Sequence, residues 1–363
     1  MTDVPGRHRR LARSLVPLPE ESLPGFLLRL AHRLGLSPGR IAGLCGLTSY
    51  ERRPPAYHLI GLPDDIAAFA ATARLSRTEV GKLTLRRYAA TYPALAKAQM
   101  DSKISVVAQR EYWALNASSR YCPECLRGDG SPAQSAHGGP WKLSWHLPVV
   151  FACPLHDRLL EVVCPECGNV LGGATRNRGS LVRRPLLDGL HPLQCRNPMP
   201  ERPPAPGRVA HREACLARLD MAPQTSGSQL SAEGRARLIT LQERMDRWLA
   251  PGSIDPAEPS VREQGGPFPD LILAAQLIKL SWPAGAELTP TPATSALIDA
   301  HAAPITAALD TPKPTTSKYL RVPELWSAPT DPAACGALLL AADTLLSTHE
   351  SASLRERIQP LVS

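Results

Sequence analysis

The stretch VFACPLHDRLLEVVCPECGNVL, Val150–Leu171, holds two short turns of the same design. Cys153 is followed by Pro, Leu and His156, and Cys164 is followed by Pro, Glu and Cys167. With two residues between its metal-binding side chains, a tight turn aims both of them at one ion. A proline after the first cysteine stiffens each turn. A third turn of this kind lies upstream, Cys122-Pro-Glu-Cys125.

The three turns and two later cysteines predict two zinc ions. The first ion has the ligands Cys122, Cys125, Cys153 and His156, and the second has Cys164, Cys167, Cys195 and Cys215. Two alternatives stay open: a crossed pairing of the turns, or the replacement of Cys195 or Cys215 by His191 or His211. Four protein ligands close a tetrahedral zinc site, which is typical of structural rather than catalytic zinc.

The bulk properties of the chain favour zinc over disulfides. It has 363 residues, a net charge of +8 and no apolar run of the roughly 20 residues that a membrane helix needs. The basic N-terminal stretch lacks the apolar core of a secretory signal, so a cytoplasmic protein without a membrane partner is expected. Thiols stay reduced in that compartment. Cys45 and Cys335 stand on apolar helical faces and are interpreted as core residues.

The N-terminal part predicts helices with clear boundaries. Ser22 is a candidate N-cap of a helix that ends at Gly35, and Ser37 with Pro38 begins a second helix. Ser76 and Glu79 predict a capping box at the start of a later helix.

These helices recur at a constant offset, because Ser37 and Ser76, Ile41 and Val80, and Leu44 and Leu83 each lie 39 residues apart. Two helix-turn-helix units are the economical interpretation, and an ordinary small helical bundle is the alternative.

The predicted fold is mainly α with small zinc-ribbon β elements. It comprises a flexible basic arm over 1–15, a helical N-terminal domain with helix-turn-helix units over 16–120, a tandem zinc-binding region over 121–220, and a helical C-terminal domain with proline-rich linkers over 228–363. C-terminal helices are expected near 231–250, 270–282, 293–309, 333–346 and 353–361.

Motifs of catalysis are missing from the sequence. It has neither a glycine-rich phosphate loop nor the two-histidine helix motif of zinc proteases. His156 in Leu155-His-Asp157 could belong to a metal-dependent nuclease, but it serves better as a zinc ligand. The protein is therefore expected not to be an enzyme.

Two segments resemble one family. VPLPEESLPGFLLRLAHRLGLSP, Val16–Pro38, resembles the opening of the TniQ family, and RYCPECL with WKLSWHLPVVFACPLHDRLLEVVCPECGNVL, up to Leu171, resembles its zinc region. The resemblance implies a target-site selector of a bacterial transposon, related to the TnsD proteins. Such proteins bind target DNA, or a DNA-bound targeting complex, and recruit an AAA+ ATPase without cutting DNA themselves. The zinc motif of the family carries over to Cys122, Cys125, Cys153, His156, Cys164 and Cys167.

Charge suggests where the partners bind. DNA contacts are expected at Arg9 and Arg10 of the arm and at Arg183 and Arg184, which lie in a segment with eight arginines and three acidic residues over 176–213. The polar side of the first helix, with Arg29 and Arg33, is the expected contact for the ATPase. A homodimer is left open. The rival function is a stand-alone zinc-ribbon and helix-turn-helix transcription regulator.

Overall fold

The computed structural model describes residues 10–47, 66–95, 112–116, 118–172, 182, 187–199, 213–250, 266–310 and 326–348. The chain forms two compact units. The first comprises the described parts of 1–87, 117–146 and 162–223, and the second comprises those of 88–116, 147–161 and 224–363. The described residues are mainly helical with one two-stranded sheet, as the sequence predicts.

Short helices dominate the first unit. They are α1 (Leu23–Leu34), α2 (Pro38–Leu44), α3 (Ile66–Ala73), α4 (Arg77–Lys82), α5 (Pro123–Arg127) and α6 (Pro132–His137). Short 3-10 turns cover Leu85–Tyr88, Ser144–His146 and Leu219–Met221.

The predicted caps of α1 and α2 are present. The Ser22 hydroxyl accepts a hydrogen bond from the amide of Gly25 at 3.2 Å, which satisfies one of the free amides at the helix start. Gly35 ends α1 with a φ of 63°, a left-handed conformation that glycine adopts without strain. Ser37 then caps α2 by accepting from the amide of Arg40 at 3.3 Å.

The second helix pair, α3 and α4, repeats this arrangement. The amide of Glu79 donates to the Ser76 hydroxyl at 3.1 Å, and the Ser76 amide donates to the Glu79 carboxylate at 2.7 Å. This reciprocal bonding is the predicted capping box. Phe26 of the first helix pair, α1 and α2, meets Phe69 edge to face at 6.4 Å in a shared apolar core.

The segment before α1 corrects the prediction of a flexible arm up to residue 15. Leu11 is buried in the core of the two helix pairs, and its amide donates to the carbonyl of Thr72 at 3.0 Å. Leu15 is partly buried against the same core. An apolar side chain with a place in the core is held there by burial, so the arm is not free at these residues. Residues 1–9 lie outside the described residues.

Arg29 corrects a second prediction. Its side chain is 1% exposed, and its Nε and Nη2 atoms donate to both carboxylate oxygens of Glu21 at 2.6 Å each. Nη2 also donates to the carbonyl of Val16 at 3.0 Å. The guanidinium therefore fastens the chain before α1 to the helix. The prediction that Arg29 meets a partner is wrong in this structure, because its charge is buried and paired.

The second unit contains strands β1 (Ala152–Cys153) and β2 (Arg158–Leu159) and helices α7 (Ala232–Leu249), α8 (Phe268–Leu280), α9 (Pro292–Asp310) and α10 (Pro332–Thr348). The strands pair antiparallel, with Ala152 opposite Leu159 and Cys153 opposite Arg158. Two further 3-10 turns cover Pro154–His156 and Ala284–Leu288. The four helices lie close to the predicted ranges, and the predicted helix over 353–361 falls outside the described residues.

The buried amide of Gln242 connects α7 to the strand hairpin. Its oxygen accepts from the amides of Phe151 and Ala152 at 2.8 and 3.1 Å. Backbone amides at the edge of a sheet usually bind water, and here the buried side chain of Gln242 takes the place of that water. Farther along, α8 and α9 both pack on α10, whose Cys335 is fully buried, as predicted. Among the described helices, none is long and apolar enough to cross a membrane.

The Glu21–Arg29 pair allows a stability test. Replacing Arg29 by Leu leaves the Glu21 carboxylate buried without its countercharge, so we expect the free energy of unfolding to fall by about 3–5 kcal/mol. The matched change Arg33→Leu, at an exposed position of the same helix, is expected to change it by less than about 0.5 kcal/mol. Urea denaturation followed by circular dichroism measures both. Equal effects of the two changes would show that the buried pair does not hold the segment before α1.

Candidate metal centres

The first candidate centre has three cysteines and one histidine. The ligand atoms of Cys122, Cys125, Cys153 and His156 all lie within 4.8 Å of one another. The three cysteines are buried and His156 is exposed. Cys122 is the N-cap of α5 and Cys125 follows within the helix, so one helical turn orients both sulfurs.

A tight hairpin orients the other two ligands of this centre. Cys153 ends β1, His156 ends the 3-10 turn that follows, and the Nδ1 atom of His156 lies 3.4 Å from the Cys153 sulfur. Asp157 then adopts a left-handed conformation with a φ of 45°, which sends the chain back into β2. The proline after the first cysteine begins the turn, as the sequence pattern predicts.

The second candidate centre consists of four cysteines. The sulfurs of Cys164, Cys167, Cys195 and Cys215 also lie within 4.8 Å of one another. Cys164 and Cys215 are 3.7 Å apart, and Cys167 and Cys195 are 3.9 Å apart. A disulfide needs sulfurs at about 2.05 Å, and all four cysteines are free. The arrangement is that of ligands around one ion.

Backbone hydrogen bonds form two opposed turns around this centre. In the first, the Cys164 amide donates to the carbonyl of Asn169 at 3.0 Å, and the Gly168 amide donates to the Cys164 carbonyl at 3.0 Å. In the second, the Cys195 amide donates to the Ala217 carbonyl at 2.8 Å and the Cys215 amide to the Asn197 carbonyl at 2.9 Å. Each turn therefore presents two sulfurs to the same point.

Asn197 connects the two turns. Its side-chain amide donates to the carbonyls of Asn169 and Val170 at 3.2 and 3.3 Å, and lies 3.9 Å from the Cys167 sulfur. Its backbone amide donates to the Cys195 sulfur at 3.4 Å. Polar contacts of this kind orient metal ligands from outside the coordination shell. Sequence spacing alone does not reveal this residue.

The electrostatics of the four thiols favour a cation. Burial, together with the neighbouring Cys164 and Cys167, raises the pKa of Cys215 to about 11 and also raises that of Cys195. Burial likewise opposes ionisation of Cys167, but hydrogen bonds from Asn169 and the other thiols outweigh it and hold the pKa of Cys167 below its usual value. Several thiolates in one buried place repel one another, and only a bound cation lets all of them ionise.

Both groups fit a closed site with four protein ligands. A thiolate-rich, four-ligand set is the usual donor set of structural zinc, in which no position is left for a reacting water. The structure groups the eight predicted ligands by the simplest assignment and not by the crossed one. His191 lies outside the four-cysteine group, and His211 lies outside the described residues.

The remaining predicted site residues have a mixed outcome. Arg10 and Arg33 are exposed, so they are accessible to a partner. Arg29 is buried, as described above. Arg9, Arg183 and Arg184 lie outside the described residues, and their predicted contacts with DNA stay predictions.

Sequence reasoning missed a cluster of three histidines in the first unit. The Nδ1 atoms of His32 and His137 lie 3.1 Å apart, and the ring of His191 packs on His32 with centroids 4.8 Å apart. These residues come from α1, the end of α6 and the loop before Cys195, so no local spacing connects them.

All three histidines favour the neutral form. Burial and nearby Arg196 lower the pKa of His32, while burial, His32, Arg29 and Arg33 lower that of His137. Burial and nearby Arg218 lower the pKa of His191 to about 4, although Asp220 opposes this shift.

The fold and the two ligand groups define a mainly helical protein with two closed candidate metal centres. The family model of TniQ matches residues 12–160, so this part of the chain is a TniQ domain. The match includes the ligands of the three-cysteine centre and ends before Cys164. Comparisons with curated proteins and with solved structures find no match.

Metal content tests the two centres. We expect elemental analysis of the purified protein to find two metal ions per chain, with one remaining in Cys122→Ser and one in Cys164→Ser. Cys45→Ala is the matched control, because burial raises the pKa of this thiol to about 12 and it belongs to the apolar core. It is expected to keep both ions. Because structural zinc contributes on the order of 10–16 kcal/mol of binding energy to folding, the ligand variants should lose more stability than the control. One ion or none in the unaltered protein would contradict the two-centre arrangement.

The histidine cluster predicts a pH dependence of stability. An unfolded histidine protonates near pH 6.5, whereas these three have lower pKa values when folded, so the unfolded state binds more protons in acid. Their contribution to stability is therefore full above about pH 6.5 and is lost as the pH falls towards about 4. We expect a shallower loss in the variant His32→Gln with His137→Gln, measured by urea denaturation across this range. Protonation of the metal ligands is common to both proteins and cancels in the comparison. An unchanged slope would show that the cluster is not a titrating contact.

Proposed function

We propose that the protein is a non-catalytic adaptor that selects the target site of a bacterial transposon. It binds DNA, directly or through a DNA-bound targeting complex, and recruits an AAA+ ATPase. This proposal rests on the TniQ match over residues 12–160, which includes both the helical N-terminal part and the ligands of the first candidate centre. A cytoplasmic location accords with this role.

In this proposal the two centres hold zinc. The residues that hold it are the three cysteines and His156 in one centre and the four cysteines in the other. Zinc in such closed shells supplies no reacting water, and its contribution is to fix turns that cannot bury enough apolar surface to fold alone. The two helix pairs act as helix-turn-helix units and, with the zinc turns, present rigid surfaces to DNA and protein partners.

A pull-down tests the recruitment. The full-length protein, loaded with zinc, is immobilised and incubated with an AAA+ transposition ATPase from the same genome, with and without duplex DNA and ATP. We expect ATPase capture that strengthens when DNA is present. Arg33→Glu reverses an exposed charge on α1 and is expected to weaken capture, whereas Arg237→Glu, on α7, is expected to leave it unchanged.

The same material separates the proposal from its rivals. DNA binding without any ATPase capture would favour the stand-alone transcription regulator. Cleavage of DNA with Mg²⁺ or Mn²⁺, or hydrolysis of ATP by the protein alone, would overturn the non-catalytic role if a point variant abolished it.

A further inference from the structure

The two helix pairs of the first unit are copies with the same local geometry. At the offset of 39 residues, Gly35 corresponds to Arg74, and both have a left-handed backbone, with φ values of 63° and 60°. Ser37 and Ser76 each cap the second helix of their pair. The equivalent residues Ile41 and Val80 are both fully buried. What differs between the copies is therefore surface chemistry and not fold.

The second copy carries basic residues at places where the first has none, whereas the exposed Arg33 and Arg40 of the first copy correspond to Thr72 and Glu79. Three neutral residues of the first copy, Gly35, Pro38 and Gly43, correspond to Arg74, Arg77 and Lys82. All three basic side chains are exposed, and so is Arg86 just beyond α4. The opposing acid, Glu79, accepts two hydrogen bonds from Ser76 in the capping box and lies close to Lys82. The exposed surface thus carries a clear excess of positive charge.

The two copies also differ in how they are covered. The carbonyl of Leu36, in the turn of the first pair, accepts from the amide of Gly189 at 3.2 Å. Arg40 on α2 lies 3.8 Å from Asp188 of the same loop. In the first pair, this surface therefore contacts another loop of the same protein. In the second pair, the equivalent residues Leu75 and Glu79 are half-buried, and the exposed Gly81 on α4 has open space where a side chain would stand.

The conformation of Arg74 is a further sign that its charge matters. A left-handed backbone is energetically unfavourable for residues other than glycine, because their Cβ atom crowds the backbone. The first copy has glycine at this place. Such a local cost points to a function when the surrounding structure keeps it. The exposed Arg74 lies in the turn three residues before Arg77, the first residue of α4, and adds to the basic surface.

We infer that this surface, Arg74, Arg77, Lys82 and Arg86 around α4, binds the phosphate backbone of duplex DNA. Exposed lysine and arginine side chains supply the sequence-independent part of such binding. Arg10 and Arg13, both exposed, extend the surface, because Leu11 between them donates its amide to Thr72 at the end of α3. The inference rests on the proposed function in that the DNA is the transposition target. It places the DNA contact on the second helix pair.

Fluorescence anisotropy with a labelled duplex of random sequence tests the inference on the full-length, zinc-loaded protein. The test variant carries Arg74→Gly, Arg77→Ala and Lys82→Ala. Because each lost phosphate contact reduces the slope of log affinity against log salt by roughly 0.9, we expect a slope lower by up to about 2.7 between about 50 and 200 mM NaCl. The control variant removes the same charge from α7 through Arg235→Ala, Arg237→Ala and Arg247→Ala, and its slope is expected to stay unchanged.

The melting temperature and zinc content of the test variant show whether its fold is kept. Arg74→Gly is expected to preserve the fold, because glycine adopts the left-handed backbone without strain. Four results would overturn the inference: an unchanged slope in the test variant, an equal loss in the control, no binding of duplex by the unaltered protein at low salt, or preferential binding of single-stranded RNA. ATPase capture is measured on the same variants. If the test variant loses DNA affinity but still captures the ATPase, the result supports a DNA contact on the second helix pair. If the unaltered protein captures no ATPase, the result counts against the proposed function alone.

Discussion

The convergence of four cysteine sulfurs within 4.8 Å is the constraint on which the described residues between 162 and 221 depend. Cys164 and Cys215 come from opposite ends of this segment, and between them the described backbone forms isolated bridges instead of a sheet. Among the described residues of this segment few apolar side chains are buried, so burial alone does not account for its closure. Thiols held this close resist joint ionisation, and a cation removes that resistance while it joins the two turns.

Polar contacts connect the four-cysteine centre to the TniQ domain. The guanidinium of Arg196, next to Cys195, donates to the carbonyls of Leu190, His191, Pro192 and Gln194. Trp141 donates its indole N–H to the carbonyl of Pro192 at 3.2 Å, and His191 packs on His32 of α1. The loop that carries Cys195 is therefore fastened both to the centre and to the first helix. A change at the metal ligands is expected to reach α1 along this route.

Sequence reasoning succeeded where the determining interactions are local. The caps at Ser22 and Ser76 need only neighbours three residues away, and the spacing within each cysteine turn is a property of one tight turn. It failed at Arg29, where a helical projection shows the polar side but not the carboxylate of Glu21, which folds back from the chain before the helix. It also missed the histidine cluster, because His32 and His137 are brought together by packing of distant segments. The family match confirmed the resemblance of the N-terminal part to TniQ, whereas helical periodicity alone is also compatible with an ordinary small helical bundle.

The two helix pairs share one local fold but differ in what their exposed surfaces contact. The cap and the buried positions are kept in both copies, since they determine whether the pair folds. The exposed positions are not restrained in this way, because substitutions there cost little stability. One copy uses that freedom to receive the loop that contains Asp188 and Gly189, which connects it to the four-cysteine centre. The other accumulates arginine and lysine around α4, including one arginine in a conformation that favours glycine. Glycine would adopt that conformation without strain, and the arginine there adds a positive charge to the surface inferred to bind DNA.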